Sequence, residues 1–239
     1  MEGKYSSRTQ LKGNFFDLHV HANPELVKEA ERLGFAGVSL TYDFDNYKSN
    51  FEEFKEIEKN SNILIKKCLE ISCKNPEELK KKVQKSRKKS DIVMVRGGDL
   101  KINRAVCEYR GVDILSQPYR GRKDTGINHV LARKAAENDV AIEINLNTFL
   151  KTNLRYRYRI ISQYRHIIEL KRKYKFPLIF ASNASTKYEL RNPQDIFALS
   201  HCFGMTMEES FDAVSTIPEH IIEKNDKRDS FIMDGVRTI

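Results

Sequence analysis

The sequence predicts an α/β fold, a single TIM-like barrel of seven or eight parallel strands with outer helices. Apolar runs of strand length alternate with segments of helical period, which is typical of repeated βα units. The 239 residues fit one α/β barrel, and neither a low-complexity linker nor a composition shift divides them. An open doubly wound sheet has the same alternation and remains the alternative.

Seven βα units follow one another along the chain. The predicted strands are Phe15–Val20, Gly37–Thr41, Ile63–Ile71, Ile92–Val95, Val112–Leu115, Val140–Asn145 and Leu178–Ala181. The predicted helices are Pro24–Leu33, Ser49–Lys59, Pro76–Lys89, Leu100–Tyr109, Ile127–Asn138, Leu154–Lys173 and Pro193–His201. Asn23, Asn75 and Asn192 precede prolines as expected N-caps. Residues 205–224 offer elements for an eighth unit, a helix from about Thr206 and a helix start at Pro218.

The helix predicted over Leu154–Lys173 is amphipathic. Its apolar residues fall within an arc of about 120°, and its polar residues lie opposite. The apolar set is Ile160, Ile161, Tyr164, Ile167 and Ile168. Its first turns, Leu154-Arg-Tyr-Arg-Tyr-Arg, interleave cations and aromatic rings, a pattern suited to phosphates and bases. Alternatively, Tyr156 and Tyr158 pack at the barrel rim and the arginines are only solvated.

Composition and charge exclude several classes of protein. A hydrophobic fraction of 40% is incompatible with disorder, and the longest run without Asp, Glu, Lys or Arg, Ile196–Met207, is too short to span a membrane. The polar N-terminus lacks a secretory signal, and the cysteines form no zinc-finger spacing, so we expect a cytoplasmic protein with reduced, mostly buried cysteines. The net charge of +9 favours a polyanionic partner. Residues 1–14 are predicted as a basic tail and about 225–239 as a C-terminal extension.

The first predicted strand carries a set of potential metal ligands. Asp17, His19 and His21 alternate along it, so the three side chains are expected to share one face at the barrel mouth. Two imidazoles and a carboxylate there would suit Zn, Mn or Fe. Buried histidines held by hydrogen bonds are the alternative interpretation.

Two strands resemble the PHP family of metal-dependent phosphoesterases. Asp17-Leu-His-Val-His resembles its first motif, and Ala141-Ile-Glu-Ile-Asn resembles its glutamate-bearing strand at Glu143. Elsewhere Thr41-Tyr-Asp stands where that family has Thr-Asp-His, and Ser182-Asn-Ala-Ser stands where it has Ser-Asp-Ala-His. We therefore expect a degenerate PHP-like site at His19, His21 and Glu143, with no metal or other cofactor bound by the chain. The alternative is a divergent PHP-type phosphoesterase using Asp17, His19, His21, Asp43 and Glu143.

A resemblance to the archaeal and eukaryotic RNase P protein component 3 family covers nearly the whole chain. The ordered motifs are Phe16-Asp-Leu-His-Val, Gly34-Phe-Ala-Gly-Val, Val95-Arg-Gly-Gly-Asp-Leu-Lys-Ile-Asn-Arg, Asp113-Ile-Leu-Ser, Thr125-Gly-Ile-Asn-His, Ala141-Ile-Glu-Ile-Asn and Phe180-Ala-Ser-Asn-Ala. The resemblance implies an RNA-binding subunit of a ribonucleoprotein that removes the 5′ leader from precursor tRNA. It further implies a catalytic RNA, Mg²⁺ held through that RNA, and partnership with RNase P RNA, protein component 2 and other small subunits.

In a parallel barrel, the loops after the strands emerge on one face. The predicted RNA-binding residues on these loops are Arg96, Arg120, Arg122, Lys123, His129, Arg155, Lys187 and Arg191. Gly97, Gly98 and Gly121 are expected to let an RNA backbone approach closely. Because the sequence contains no G-x-S-x-G, P-loop or H-E-x-x-H motif, the isolated chain is predicted to be non-catalytic.

Other surfaces remain open at this point. The run Lys80–Lys89 is interpreted as a solvated helix face or a protein-docking surface, and the segment Phe231-Ile-Met and the N-terminal tail are further docking candidates. A barrel enzyme for a phosphorylated metabolite, with the phosphate at the loop after the seventh strand, is a third functional hypothesis.

Overall fold

Seven parallel strands run in chain order around a nearly closed barrel in the computed structural model. The model describes residues 13–47, 51–228, 231–233 and 236–237. The strands are β1 (Phe16–His21), β2 (Gly37–Asp43), β3 (Leu64–Ile71), β4 (Ile92–Arg96), β5 (Ile114–Ser116), β6 (Ala141–Asn145) and β7 (Leu178–Ala181). A parallel bridge joins Val20 to Ala184, where the His21 amide donates to the Ala184 carbonyl at 2.9 Å. The barrel prediction is confirmed, and the open doubly wound sheet is wrong.

Helices cover the outside of the barrel. They are α1 (Pro24–Leu33), α2 (Phe51–Lys59), α3 (Pro76–Ser86), α4 (Leu100–Cys107), α5 (His129–Glu137), α6 (Leu146–Lys151), α7 (Arg157–Tyr174), α8 (Pro193–Cys202), α9 (Met207–Val214) and α10 (Thr216–Asp226). Asn23, Asn75 and Asn192 accept hydrogen bonds from the first turns of α1, α3 and α8, which confirms the predicted caps. None of the described helices is long and apolar enough to cross a membrane.

Residues 205–228 form helices and contribute no eighth strand. A capping box between Thr206 and Glu209 starts α9, and α10 follows directly. Ile221 and Ile222 of α10 pack against Phe16, Ile92 and other residues inside the barrel. Phe16 and Ile92 begin their strands, so α10 closes the N-terminal end of the barrel, and residues 205–224 do not add the eighth βα unit that the sequence suggested.

The helix predicted over Leu154–Lys173 begins later than expected, and two short helical segments precede it. The Asn145 side chain caps α6, a short helix in a segment for which the sequence predicts no element. A 3₁₀ turn, Leu154–Tyr156, then precedes α7. Within α7, Tyr164, Ile167 and Ile168 are buried as the amphipathic pattern predicted.

The chain ends and the cysteines agree only in part with the sequence predictions. Residues 1–12 of the predicted basic tail lie outside the described residues. The predicted extension from about residue 225 overlaps the end of α10, and its described part forms a small antiparallel pair, β8 (Phe231–Met233) and β9 (Val236–Arg237). All four cysteines are free, but only Cys68 and Cys107 are buried, so the expectation of mostly buried thiols is half correct.

The barrel interior changes character along its axis. Near α10 it is apolar, built from Ile92, Ile114 and Ala141 with neighbouring strand residues. Toward the C-terminal ends of the strands, it holds buried His19, Glu70 and Glu143. The fold therefore places its charged groups at the mouth where the βα loops emerge.

Candidate functional site

A β-bulge in β1 separates the three predicted metal ligands. Asp17 pairs with Val38 of β2 and Val20 pairs with Leu40, so one extra residue lies between them. The pleat therefore shifts, and Asp17 no longer shares the face of His19 and His21. Its carboxylate accepts hydrogen bonds from the Ser182 and His19 amides, and burial raises its pKa to about 6. The prediction that all three side chains share one face is wrong for Asp17.

His19 and Glu143 form a buried ion pair across the barrel. His19 Nδ1 lies 2.7 Å from Glu143 Oε1, and Asn145 Nδ2 donates to the same oxygen at 3.1 Å. Burial alone would lower the pKa of His19, but the charge and hydrogen bond of Glu143 outweigh it and raise this pKa to about 9. The Glu143 carboxylate therefore favours the protonated form of His19 and fixes the orientation of its ring.

Two further pairs occupy the barrel mouth. Arg96 binds the Glu70 carboxylate through both Nε and Nη2, and Glu70 is buried. The guanidinium predicted to contact RNA is thus engaged within the chain, and this pairing raises its pKa. His21 Nε2 lies 2.9 Å from Asn183 Oδ1, while burial and then the charge of His19 lower the pKa of His21.

The residues present do not fit a PHP-type metal centre. Asp43 accepts a hydrogen bond from the Asp45 amide, Asp17 is held by Ser182, and His19 pairs with Glu143. Within the described ranges, no three His, Cys, Asp or Glu side chains come together as a ligand set. On these strands, His19 Nε2 and Glu143 Oε2 are buried without a hydrogen-bond partner, and the other unpaired buried groups are the hydroxyls of Ser39, Thr41, Tyr42 and Ser116. Neutral hydroxyls are poor ligands compared with imidazole and carboxylate.

The loop after β5 presents two free cations and one structural one. The Arg122 guanidinium binds the Asp124 carboxylate at 2.6 and 2.8 Å and the Gly98 carbonyl at 3.3 Å. Arg120 and Lys123 are exposed, and neither side chain has an ion pair or hydrogen bond with any described residue. Of the three predicted RNA-binding residues in this loop, Arg122 therefore stabilises the loop itself, whereas the Arg120 and Lys123 side chains can bind a phosphate.

Asn103 of α4 holds the loops after β4 and β5 together. Its buried amide donates to the carbonyls of Pro118 and Gly126 at 2.9 Å each and accepts from the Gly98 amide at 3.1 Å. Gly126 has a φ of +66°, and a Cβ there would lie 2.0 Å from the Pro118 carbonyl oxygen. A Cβ on Gly98 would likewise meet the Arg120 carbonyl oxygen at 2.7 Å. Close packing of the chain on itself, rather than approach of RNA, therefore explains Gly98.

The remaining predicted RNA-binding residues lie at the same end of the barrel. His129 is exposed at the start of α5 and lines a cavity of about 650 Å³ together with Lys123. Arg155 and Lys187 are exposed, and the Lys187 ammonium lies 5.4 Å from the ring centroid of Tyr188. Arg191 instead donates to the carbonyls of Tyr188 and Leu190. The cluster thus contains cations that face solvent and cations that brace their own loops.

Sequence reasoning missed Glu70 and Asn103, the two residues that organise this end of the barrel. Glu70 lies in the predicted third strand, where a lone carboxylate among apolar residues signals a buried partner. Asn103 lies at an inward position of a predicted helix, past the N-cap position, so its polar side chain needs a buried hydrogen-bond partner. Both signals were present in the sequence, but only the fold identifies their partners.

The fold and the site define a class of protein, an α/β barrel closed below by a helix, with an ion-paired interior and a basic loop face. The profile of the family described as RNase P subunit p30 matches residues 14–230. Ribonuclease P protein component 3 of Methanothermobacter thermautotrophicus is 41% identical over 233 residues, covering 94% of this chain and 95% of that protein. The chain belongs to the RNase P subunit p30 family, which confirms the resemblance seen in the sequence.

Two further matches agree with this assignment. Ribonuclease P protein component 3 of Methanocaldococcus jannaschii is 39% identical over 174 residues, covering 73% of this chain and 74% of that protein. A chain in the cryo-EM structure of archaeal ribonuclease P with mature tRNA matches with a TM-score of 0.85 and 32% identity. That match covers 94% of this chain and 97% of the other, so the barrel described above is the family's fold.

Proposed function

We propose that this chain is an RNA-binding protein subunit of ribonuclease P that assists endonucleolytic removal of the 5′ leader from precursor tRNA. In this proposal the RNA subunit carries the catalytic centre and the Mg²⁺, and the chain supplies positioning and affinity. Its partners are RNase P RNA, protein component 2, the other small protein subunits and precursor tRNA, in the cytoplasm. Family membership supports this assignment, together with the exposed cations on the βα loops.

The observation that carries the RNA-binding role is the state of the loop after β5. Arg120 and Lys123 are exposed and unpaired among the described residues, while Arg122 and Asn103 fix the loop that bears them. A rigid loop with free cations loses little conformational entropy when it meets a phosphate. His129, Arg155 and Lys187 extend the same proposed surface.

The barrel interior gives no comparable support to a phosphoesterase. The five residues of that alternative already have partners in the chain. Asp17 accepts from the Ser182 amide, His19 pairs with Glu143, His21 contacts Asn183, and Asp43 accepts from the Asp45 amide. A metal would have to displace these contacts before the side chains could act as its ligands. The chemistry is therefore assigned to the RNA partner.

Native purification of the full-length chain through an affinity tag tests this function. We expect it to retain a structured RNA, and the recovered particle to cleave precursor tRNA. A parallel purification with ribonuclease treatment separates partners held through RNA from those bound directly. Recovery of the chain without RNA, carrying a stoichiometric transition metal and hydrolysing phosphoesters, would contradict the proposal and favour the phosphoesterase.

A further inference from the structure

An exposed cluster of aromatic rings begins α7. The side chains of Leu154, Tyr156 and Tyr158 are 77%, 45% and 62% exposed. This exposure argues against the alternative interpretation, in which the two tyrosines pack at the barrel rim. Exposed aromatic residues close together on one surface are characteristic of interaction sites rather than of ordinary solvated surface.

Arg159 holds the two tyrosines in a fixed arrangement. Its guanidinium carbon lies 5.2 Å from the Tyr156 ring centroid and 5.6 Å from that of Tyr158, and its Nε donates to the Tyr158 hydroxyl at 3.0 Å. No carboxylate among the described residues pairs with Arg155 or Arg159, so the positive charges of this cluster are available to a ligand.

Arg157 anchors the cluster to the rest of the fold. Its guanidinium donates to the Thr152 carbonyl at 3.1 Å and to the Leu150 carbonyl at 2.9 Å, and it lies 5.2 Å from the Phe149 ring centroid. Of the three arginines between Leu154 and Ile160, one is therefore structural and two face solvent. The rings are held in place before any partner arrives, which lowers the entropic cost of binding.

A trough leads from this cluster along one face of α7. A cavity of about 500 Å³ is lined by Tyr158, Arg165, His166 and neighbouring residues. It shares Ser162 and His166 with the 650 Å³ cavity that contains Lys123 and His129. Of the acidic side chains in the trough, Asp124 is paired with Arg122, and the exposed Glu169 carboxylate lies 3.3 Å from His166 Nδ1. The trough therefore connects the aromatic cluster to the basic loop after β5.

We propose that Tyr156 and Tyr158 form a stacking platform for unpaired RNA bases, and that the trough along α7 guides the backbone toward Lys123. Only an unpaired base exposes its face to an aromatic ring, whereas a duplex presents phosphates and hydroxyls. The unpaired arginines favour a polyanion over an apolar protein surface, and the exposed rings favour one that carries flat bases over an acidic protein surface. This inference rests on the proposed function, because it names the RNA structure that the subunit contacts.

A single tryptophan provides a direct test, because the native chain contains none. In the full-length chain, Tyr158→Trp places a fluorophore on the platform, and Tyr109→Trp places a control beyond the end of α4. We expect an unstructured RNA of about ten nucleotides to quench the first and not the second. A blunt-ended RNA duplex of equal length should leave both unquenched. Quenching of both reporters, or of neither, would overturn the platform.

Affinity measurements separate the rings from the hydroxyls. Tyr156→Ala/Tyr158→Ala should weaken binding of the unstructured RNA by at least about tenfold. Tyr156→Phe/Tyr158→Phe should bind it like the native chain, because the ring faces remain. Equal weakening by both variants would contradict stacking.

Three outcomes distinguish the failure of this inference from the failure of the proposed function. If the native chain binds RNA and the alanine variant binds it equally well, the platform is wrong and the function stands. If the alanine variant keeps its RNA affinity but loses a protein subunit from the purified particle, the cluster is a protein interface and the inference is overturned. If the native chain binds neither the unstructured RNA nor RNase P RNA, both proposals fail.

Discussion

Arginine residues on the βα loop face differ in whether the chain itself uses their charge. Arg96 is bound to Glu70 and Arg122 to Asp124, whereas Arg120 has no partner among the described residues. A cation already satisfied by a carboxylate contributes little to the attraction of a phosphate. The sequence alone does not distinguish these three arginines, because whether each pairs with a carboxylate depends on the geometry of its loop.

The ion pair between His19 and Glu143 predicts a specific pH dependence of stability. The pKa of His19 is raised to about 9, above the unfolded value of about 6.5. The contribution of the pair is therefore complete below about pH 6.5 and lost as the pH rises through about 9. Glu143→Gln should lower the free energy of unfolding by about 3 kcal/mol at pH 6, and by much less at pH 9.5. Urea denaturation of both proteins across this range measures the difference.

The same denaturation measurement can also contradict the ion pair between His19 and Glu143. A Glu143→Gln difference that stays constant between pH 6 and pH 9.5 would mean that His19 is neutral in the folded protein. The control is Glu223→Gln, on the exposed side of α10, for which we expect no change over the same range.

The elements of the fold were more predictable than their connections. Strand and helix periodicity places all seven strands within about two residues of their observed ends, because burial imposes alternating and 3.6-residue patterns. The bulge at Leu18–His19 and the short α6 were not predicted. A bulge depends on the register with β2, and α6 depends on an Asn145 cap at the end of a strand. Neither leaves a local pattern in the sequence.

The α4 side chain of Asn103 is expected to determine the stability of the two loops it joins. Asn103→Ala removes two buried hydrogen bonds and one partly buried one, and should lower the free energy of unfolding by about 3 kcal/mol. RNA affinity should fall as well, because the loop bearing Arg120 and Lys123 loses its support. Chemical denaturation and filter binding at a temperature where the variant is folded provide the two measurements.

Asn103→Asp serves as the matched variant for this loop prediction. It keeps an acceptor for the Gly98 amide but leaves the Pro118 and Gly126 carbonyls without a donor, so a similar loss of stability is expected. Unchanged RNA affinity in a folded Asn103→Ala protein would show that the loop keeps its shape without the asparagine.

Helix α10 closes the opposite end of the barrel, and its role should be purely structural. Ile221 is buried in the interior cluster. Ile221→Ala should lower the free energy of unfolding by about 3 kcal/mol through cavity formation. RNA affinity of the folded variant should equal that of the native chain, because α10 lies away from the βα loops. A loss of RNA affinity that exceeds the unfolded fraction would place RNA at this end as well.

The whole molecule has two ends with different tasks. The N-terminal end is sealed by apolar packing of α10, and the C-terminal end carries the ion-paired interior and the exposed cations. The net charge of +9 alone favours a polyanion without locating its contact. Parallel topology brings Arg120, Lys123, His129 and Lys187 to one face, and we propose that the contact lies there.

The salt dependence of RNA binding tests the location of that face most directly. Three full-length proteins are compared on RNase P RNA: the native chain, Arg120→Ala/Lys123→Ala, and Lys80→Ala/Lys81→Ala on α3, which removes the same charge from another surface. We expect the loop variant to bind more weakly and to lose about two from the slope of log affinity against log salt. The α3 variant should keep the native slope. The opposite result, a native slope for the loop variant and a reduced one for the α3 variant, would contradict the account.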